Sequence, residues 1–234
     1  MNLLAFDTST DILSVAVQAG DPRTQPVLQV TEQGGAKASA TLLPLIRQLL
    51  SQAGLALKDL DAIVFGRGPG SFTGLRTACA VAQGLGFGSA VPVLAVDTLL
   101  AVAEEAHAQS AVERVVAVLD ARMAEVYWAA YQKHGATWRE HEPARLGPPD
   151  DVRVAPGWSL AGNALALYSD RLAPAQRRIS ALPTASALLR LAPALMAAGQ
   201  AGPAADAMPL YIRDKVAQTT QERHAIKAAS HPTP

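Results

Sequence analysis

Short apolar runs separated by polar turns dominate the first hundred residues. Leu3 to Phe6 and Ile12 to Val17 have strand length and flank the polar stretch Asp7-Thr8-Ser9-Thr10-Asp11. That pattern predicts a β-hairpin with a polar turn. A third strand is expected over Val27 to Thr31. Ala62–Phe65 and Val91–Val96 read as buried strands, each preceded by a helix, which points to a mixed sheet with helical crossovers. A second strand-rich region opens with Val115–Leu119 and Val126–Tyr131. Glu142 to Gly162 is rich in Pro and Gly and reads as loops, and Ala185 to Ala198 reads as a helix that Pro193 could kink. Two related lobes follow. Residues 1–100 form the first, and 101–216 the second, whose last segment could return to the first; 217–234 form a flexible tail.

Two helices carry more information than their periodicity. On the helix from about Ser39 to Gln52, Leu42, Leu43, Leu45, Ile46, Leu49 and Leu50 span an arc of roughly 160°. A surface helix needs a stripe of about 100° to cover one core. The excess fits either a helix sunk between a sheet and its neighbours or one that also packs on a second chain. The helix over Thr77–Leu85 is built from small residues, among them Ala78, Cys79, Ala80, Ala82, Gly84 and, just beyond, Gly86. Glycine weakens a helix by up to ~1 kcal/mol, so close packing against the Leu-rich helix, the sheet or another chain must compensate.

Composition narrows the function. Half of the 234 residues are hydrophobic and 17% are charged, which suits one or two compact domains. Formal net charge is zero, whereas a domain that grips a nucleic-acid backbone alone usually carries a basic excess. The single cysteine, Cys79, excludes an internal disulfide framework and a Cys-rich zinc site. The five histidines, at 107, 134, 141, 224 and 231, include no pair spaced by three, four or five, as a helical two-His metal site requires. No run approaches the ~20 apolar residues of a membrane span, so a cytoplasmic location is expected.

The most distinctive stretch is Gly66-Arg67-Gly68-Pro69-Gly70-Ser71-Phe72-Thr73-Gly74-Leu75-Arg76, between an apolar strand and an Ala-rich helix. A glycine turn before a helix N-terminus can cradle an anion. Neither common nucleotide pattern fits, however. No Lys-Ser or Lys-Thr follows a G-x-x-x-x-G, and Ser71 and Thr73 stand where G-x-G-x-x-G needs its last glycine. Thr73 is placed to cap the helix, and Arg76 falls in its first turn, where the macrodipole disfavours a cation. That placement suggests either a carboxylate or phosphate partner or a solvated side chain.

This glycine stretch resembles the signature of the TsaB (YeaZ) family, a partner protein in tRNA threonylcarbamoyladenosine synthesis. Leu3 to Thr10, Leu42-Leu43-Pro44-Leu45-Ile46, Leu119-Asp120-Ala121-Arg122 with Glu125-Val126-Tyr127, and Pro209-Leu210-Tyr211-Ile212-Arg213 agree with it in the same order. The resemblance implies an α/β fold of two actin-like (ribonuclease-H-like) lobes, shared with sugar kinases and Hsp70. It also implies a non-catalytic scaffold that dimerises with the catalytic paralogue TsaD and acts with the ATPase TsaE, reaching tRNA only through that complex. The interface would fall on Leu42, Leu45, Ile46, Leu49, Arg76, Cys79, Ala82 and Gly86. Alone, such a surface would form a homodimer.

The alternative within the same superfamily is an ATP-dependent small-molecule kinase or ATPase. Asp7, Thr8, Ser9, Gly68 and Gly70 would then be nucleotide contacts; otherwise Asp7-Thr8-Ser9 simply closes the hairpin as an Asx turn. Superfamily kinases have Asp-x-Gly at the second phosphate loop, where this chain has Asp120-Ala121-Arg122, whose arginine would crowd a phosphate. No cofactor is expected to bind tightly, with ATP or ADP possible at the complex interface. An ion-pair cluster of Asp120, Arg122 and Glu125 is expected to hold that hairpin, and Pro209–Arg213 to be either docked or free for interaction.

Overall fold

The structure, a computed structural model, describes residues 1–213; the predicted tail and the last three residues assigned to the second lobe lie outside them. The first sheet has five strands in the order β3-β2-β1-β4-β5: β1 (Leu3–Asp7), β2 (Ile12–Gln18), β3 (Leu28–Gln33), β4 (Ala62–Gly68) and β5 (Val93–Asp97). The β1–β2 and β2–β3 pairs are antiparallel, and β4 runs parallel to both β1 and β5. Alternation along the strands divides two cores. Leu4, Phe6, Ile63 and Phe65 face α1 (Ala38–Ala53) and α2 (Phe72–Ser89). Leu3, Ala5, Ala62 and Val64 face α3 (Thr98–Ser110) and α5 (Ala185–Ala197). Burial on both faces explains why these strands read as continuous apolar runs.

The second sheet has the order β10-β9-β6-β7-β8, with β6 (Arg114–Asp120), β7 (Val126–His134), β8 (Thr137–Gly147), β9 (Ser159–Ala161) and β10 (Arg178–Ile179). One face packs on Leu99, Val102, Ala103 and Ala106 of α3. The other, with Val116, Val118 and Trp128, packs on Trp158 and on Ala164 of the short α4 (Ala164–Leu167). Much of the span predicted as loops is therefore strand. Proline is tolerated in β8 because it lies at the sheet edge and at a register shift, between the pairs Ala130↔Glu142 and Trp128↔Arg145. The chain also returns to its first lobe: α5 packs on β1, β2 and β4, and Gly202 bridges to Val93 at the β5 edge.

The lobes are joined through a buried carboxylate on α3. Glu104, 6% exposed, accepts from Trp138 Nε1 at 2.8 Å, Lys133 Nζ at 3.0 Å and Arg190 Nε at 3.0 Å. Burial alone would raise its pKa, but the bonds from Trp138 and Lys133 and the charges of Lys133 and Arg190 outweigh that and hold it below the ordinary value. Removing the carboxylate leaves the shielded Lys133 ammonium without its counter-charge and the Trp138 N–H without its acceptor, while Arg190 keeps Glu105. Glu104→Ala should therefore cost about 3–5 kcal/mol in a urea unfolding series at neutral pH. Because the folded pKa is lowered, the wild-type advantage should be complete above the unfolded pKa and fade as pH falls through the folded one.

Candidate functional site

The turn after β1 lies directly on the glycine stretch. A Cβ at Gly66 would stand 1.7 Å from Asp7 Oδ2, one at Gly70 2.5 Å from the Ser9 carbonyl, and one at Gly74 1.8 Å from the Thr8 carbonyl. These glycines are required because no side chain larger than hydrogen fits between the two segments. Thr8 Oγ1 donates to Gly74 O at 2.7 Å, and the Ser71 amide to Ser9 O at 2.7 Å. Gly68, at φ +118°, meets the Leu210 carbonyl, 2.6 Å from an added Cβ. The glycines of this stretch lie against the chain's own β1 turn and Leu210, while Gly70, Ser71 and Phe72 also border open space.

Asp7 is fully buried. Its Oδ1 accepts from the Ser9 amide at 2.8 Å and Ser9 Oγ at 2.6 Å, while Oδ2 has no partner among the described residues. Burial pushes its carboxyl up to about 6, against the weaker lowering by the two Ser9 bonds. The Asx turn foreseen for Asp7-Thr8-Ser9 is thus present.

Beside this turn a cleft of about 270 Å³ opens between the lobes. Ser9, Asp11, Gly70 and Phe72 line it from the first lobe, and Asp120, Arg122, Tyr127 and Asn163 from the second. Asp120 is held by the Tyr168 hydroxyl at 3.0 Å, and its amide donates to Asn163 Oδ1 at 2.9 Å. Arg122 contacts Asp120 at 3.4 Å and crosses the cleft to the Asp11 carboxylate. The sequence had suggested that Glu125 joins this cluster; the structure places it elsewhere. It is 2.7 Å from Arg213, which approaches from the C-terminal segment.

That segment is docked. The Leu210 amide donates to Arg67 O at 2.7 Å, and Arg213 Nη2 to Ala121 O at 3.0 Å, so residues 210–213 span both lobes. The Tyr211 ring lies 5.3 Å from Phe72, and its hydroxyl accepts from Arg76 Nε at 3.1 Å. Arg76 also stacks 3.9 Å over Phe72. Among the described residues its contacts are aromatic. Helix α2 begins at Phe72, one residue before Thr73, so Thr73 is inside the helix and does not cap it.

The interface candidates divide differently from the sequence reading. Leu42, Leu45, Ile46, Leu49, Cys79 and Ala82 are buried in the core of their own lobe. Gly86 packs against Ala204 and Val93, and Cys79 Sγ donates to Ala207 O at 3.2 Å. The surface these helices turn outward is carried by Leu43, 43% exposed, and Phe87, 67% exposed. Leu43 was within the apolar arc and Phe87 was not singled out; an aromatic between Gly86 and Gly88 at the end of a small-residue helix was the available signal.

Two five-stranded mixed sheets with helices around them and a cleft between define a two-lobe, actin-like (ribonuclease-H-like) α/β protein. The family described as TsaD, tRNA N6-adenosine threonylcarbamoyltransferase, matches residues 31–192. The tRNA threonylcarbamoyladenosine biosynthesis protein TsaB of Escherichia coli (strain K12) is 32% identical over 227 residues, covering 93% of this chain and 96% of its own length. The protein of the same name from Haemophilus influenzae is 32% identical over 92% of this chain and 95% of its own. The solved structure of YeaZ from Pseudomonas aeruginosa superposes with a TM-score of 0.82 at 41% identity, over 90% of this chain and 99% of that one. The chain belongs to the TsaB (YeaZ) family.

The fit of turn to glycines is testable by adding one methyl group. Gly74→Ala should lower the thermal midpoint sharply or prevent folding, because the obstacle is the Thr8 backbone and cannot rotate away. Gly84→Ala in the same helix, with nothing within 4 Å of the added carbon, should be neutral or stabilising by up to ~1 kcal/mol. Asp7→Asn checks the buried carboxylate. A folded pKa of about 6 against 3.8 means the charged form is disfavoured in the folded state by about 3 kcal/mol. The asparagine variant should thus be the more stable protein in denaturant titrations at pH 8, with its advantage gone below about pH 4.

Proposed function

We propose that this chain is the non-catalytic subunit that supports threonylcarbamoylation of the adenosine beside the anticodon in tRNA. It pairs with a TsaD-like catalytic protein and works with a TsaE-like ATPase. The observation that carries this reading is the near full-length similarity to proteins named for tRNA threonylcarbamoyladenosine biosynthesis. The geometry is compatible with a subunit whose role is assembly. Gly66, Gly68, Gly70 and Gly74 are all engaged in contacts within the chain, which weighs against a phosphate-gripping kinase loop. In this reading ATP or ADP belongs to the interface of the complex, and tRNA is reached through the partner, consistent with zero net charge. Isolated, the chain forms a homodimer through the same surface. Among the described residues no helix is long and apolar enough to cross a membrane.

The docking surface is placed on the outward side of α1 and α2, where Leu43 and Phe87 are exposed. Contiguous exposed apolar patches mark protein contacts, and Leu43 and Phe87 are the large exposed apolar side chains of these two helices. Size-exclusion chromatography with light scattering, on this chain mixed with the TsaD-like protein of the same cell, tests the pairing. A heterodimer is expected, and Phe87→Lys should elute alone while its melting temperature stays within about a degree or two of wild type. Leu45→Asp is the contrasting control: Leu45 is 9% exposed and in the core, so it should unfold the lobe. Two unshifted wild-type peaks would overturn the proposed pairing.

A further inference from the structure

The lobes are tied at two distant places. At one end of β7, Lys133 engages Glu104 through a side chain that is 13% exposed. Seven residues away along the strand, about 23 Å, Val126 borders the turn that closes the cleft mouth. Two ties act at the mouth. Arg213, 16% exposed, holds Ala121 O and Glu125. Arg122 holds Asp11, and here both partners are largely open, at 67% and 68%.

The Arg122 end of this second tie is fixed in place. Arg122, Met123 and Ala124 have φ of 61°, 56° and 58°, three successive left-handed residues without a glycine. Such a turn persists only where its surroundings impose it. The Arg122 amide donates to Asp120 Oδ1 at 3.0 Å, and Asp120 is itself held by Tyr168 and Asn163. On the first-lobe side, Asp11 has only the guanidinium as an ionic partner among the described residues. An exposed pair of this kind is weak and screened by salt, whereas the Glu104 and Arg213 contacts are shielded.

We propose that Arg122–Asp11 is a releasable latch at the cleft mouth, with the Glu104 cluster and the Arg213 strap as the permanent joints. Breaking the latch lets the lobes swing apart on the Asp11 side, about those two joints, and widens the cleft there without unfolding either lobe. This concerns motion within the chain and does not depend on the partner reading.

Distances between nitroxide labels test it. Labels at exposed Lys37→Cys and Asp170→Cys, one per lobe, are placed on a Cys79→Ala background and read by pulsed electron resonance. Arg122→Gln and Asp11→Asn should each raise the longer-distance population, by up to about fivefold for a surface ion pair. The double variant should be no more open than either single one, because the two changes remove one interaction. Raising salt from about 0.05 M to about 0.5 M should open the otherwise unsubstituted protein and leave Asp11→Asn unmoved. Identical distributions in all variants, additive opening in the double variant, or an equal salt response in Asp11→Asn would each overturn the latch. The salt series on the parent protein keeps the test valid if a substitution impairs folding.

Discussion

The contact on which the rest of the structure depends is that of the β1 turn with the glycine stretch, where two backbones meet too closely for a methyl group. It fixes the end of β1 against the end of β4 and sets where α2 starts. With that start fixed, the direction of α2 fixes which of its faces meets the sheet. Ala78, Cys79, Ala82 and Gly86 then point inward, and residues 204–207 pack on them. From there the chain can run to Leu210, bond Arg67, and place Arg213 on the second lobe. One close approach near residue 8 thus determines the path of a segment two hundred residues later.

Local pattern carried most of the fold. β1 and β2 differ from their predicted bounds by one residue each, because apolar runs around a polar turn have few other solutions. The span from 142 to 162 misled because Pro and Gly report local turn preference, while an edge position and a register shift are tertiary facts. The site was less legible for a similar reason. Its residue types were visible, but their partners came from elsewhere in the chain: Thr8 for Gly74, Tyr211 for Arg76, Asp11 for Arg122. Periodicity also gives the width of an apolar stripe and not its direction. Leu42, Leu45, Ile46 and Leu49 formed part of a stripe wide enough for a second partner, yet they fill their own core and leave Leu43 outside.

Two buried carboxylates are accommodated in opposite ways. Glu104 is surrounded by donors from three elements and held in its charged form. Asp7 has two donors on one oxygen, none among the described residues on the other, and is pushed toward protonation. The first arrangement suits a joint, since each donor fixes a different piece of chain. The second is costly as a charge, and its structural use lies in the bonds to Ser9. By holding the Ser9 amide and hydroxyl, Asp7 turns the Ser9 carbonyl toward the Ser71 amide and thereby seats the turn on the glycines.

The same logic explains how rigidity is distributed. Shielded contacts at Glu104 and Arg213 join segments distant in sequence and resist solvent screening. The exposed pair between Arg122 and Asp11 lies where the lobes face each other across open solvent. A two-lobe protein built this way is stiff within each lobe and along the α3 seam. If the latch releases as proposed, the cleft widens on the Asp11 side, a motion on which a partner or ligand could act without disturbing either core.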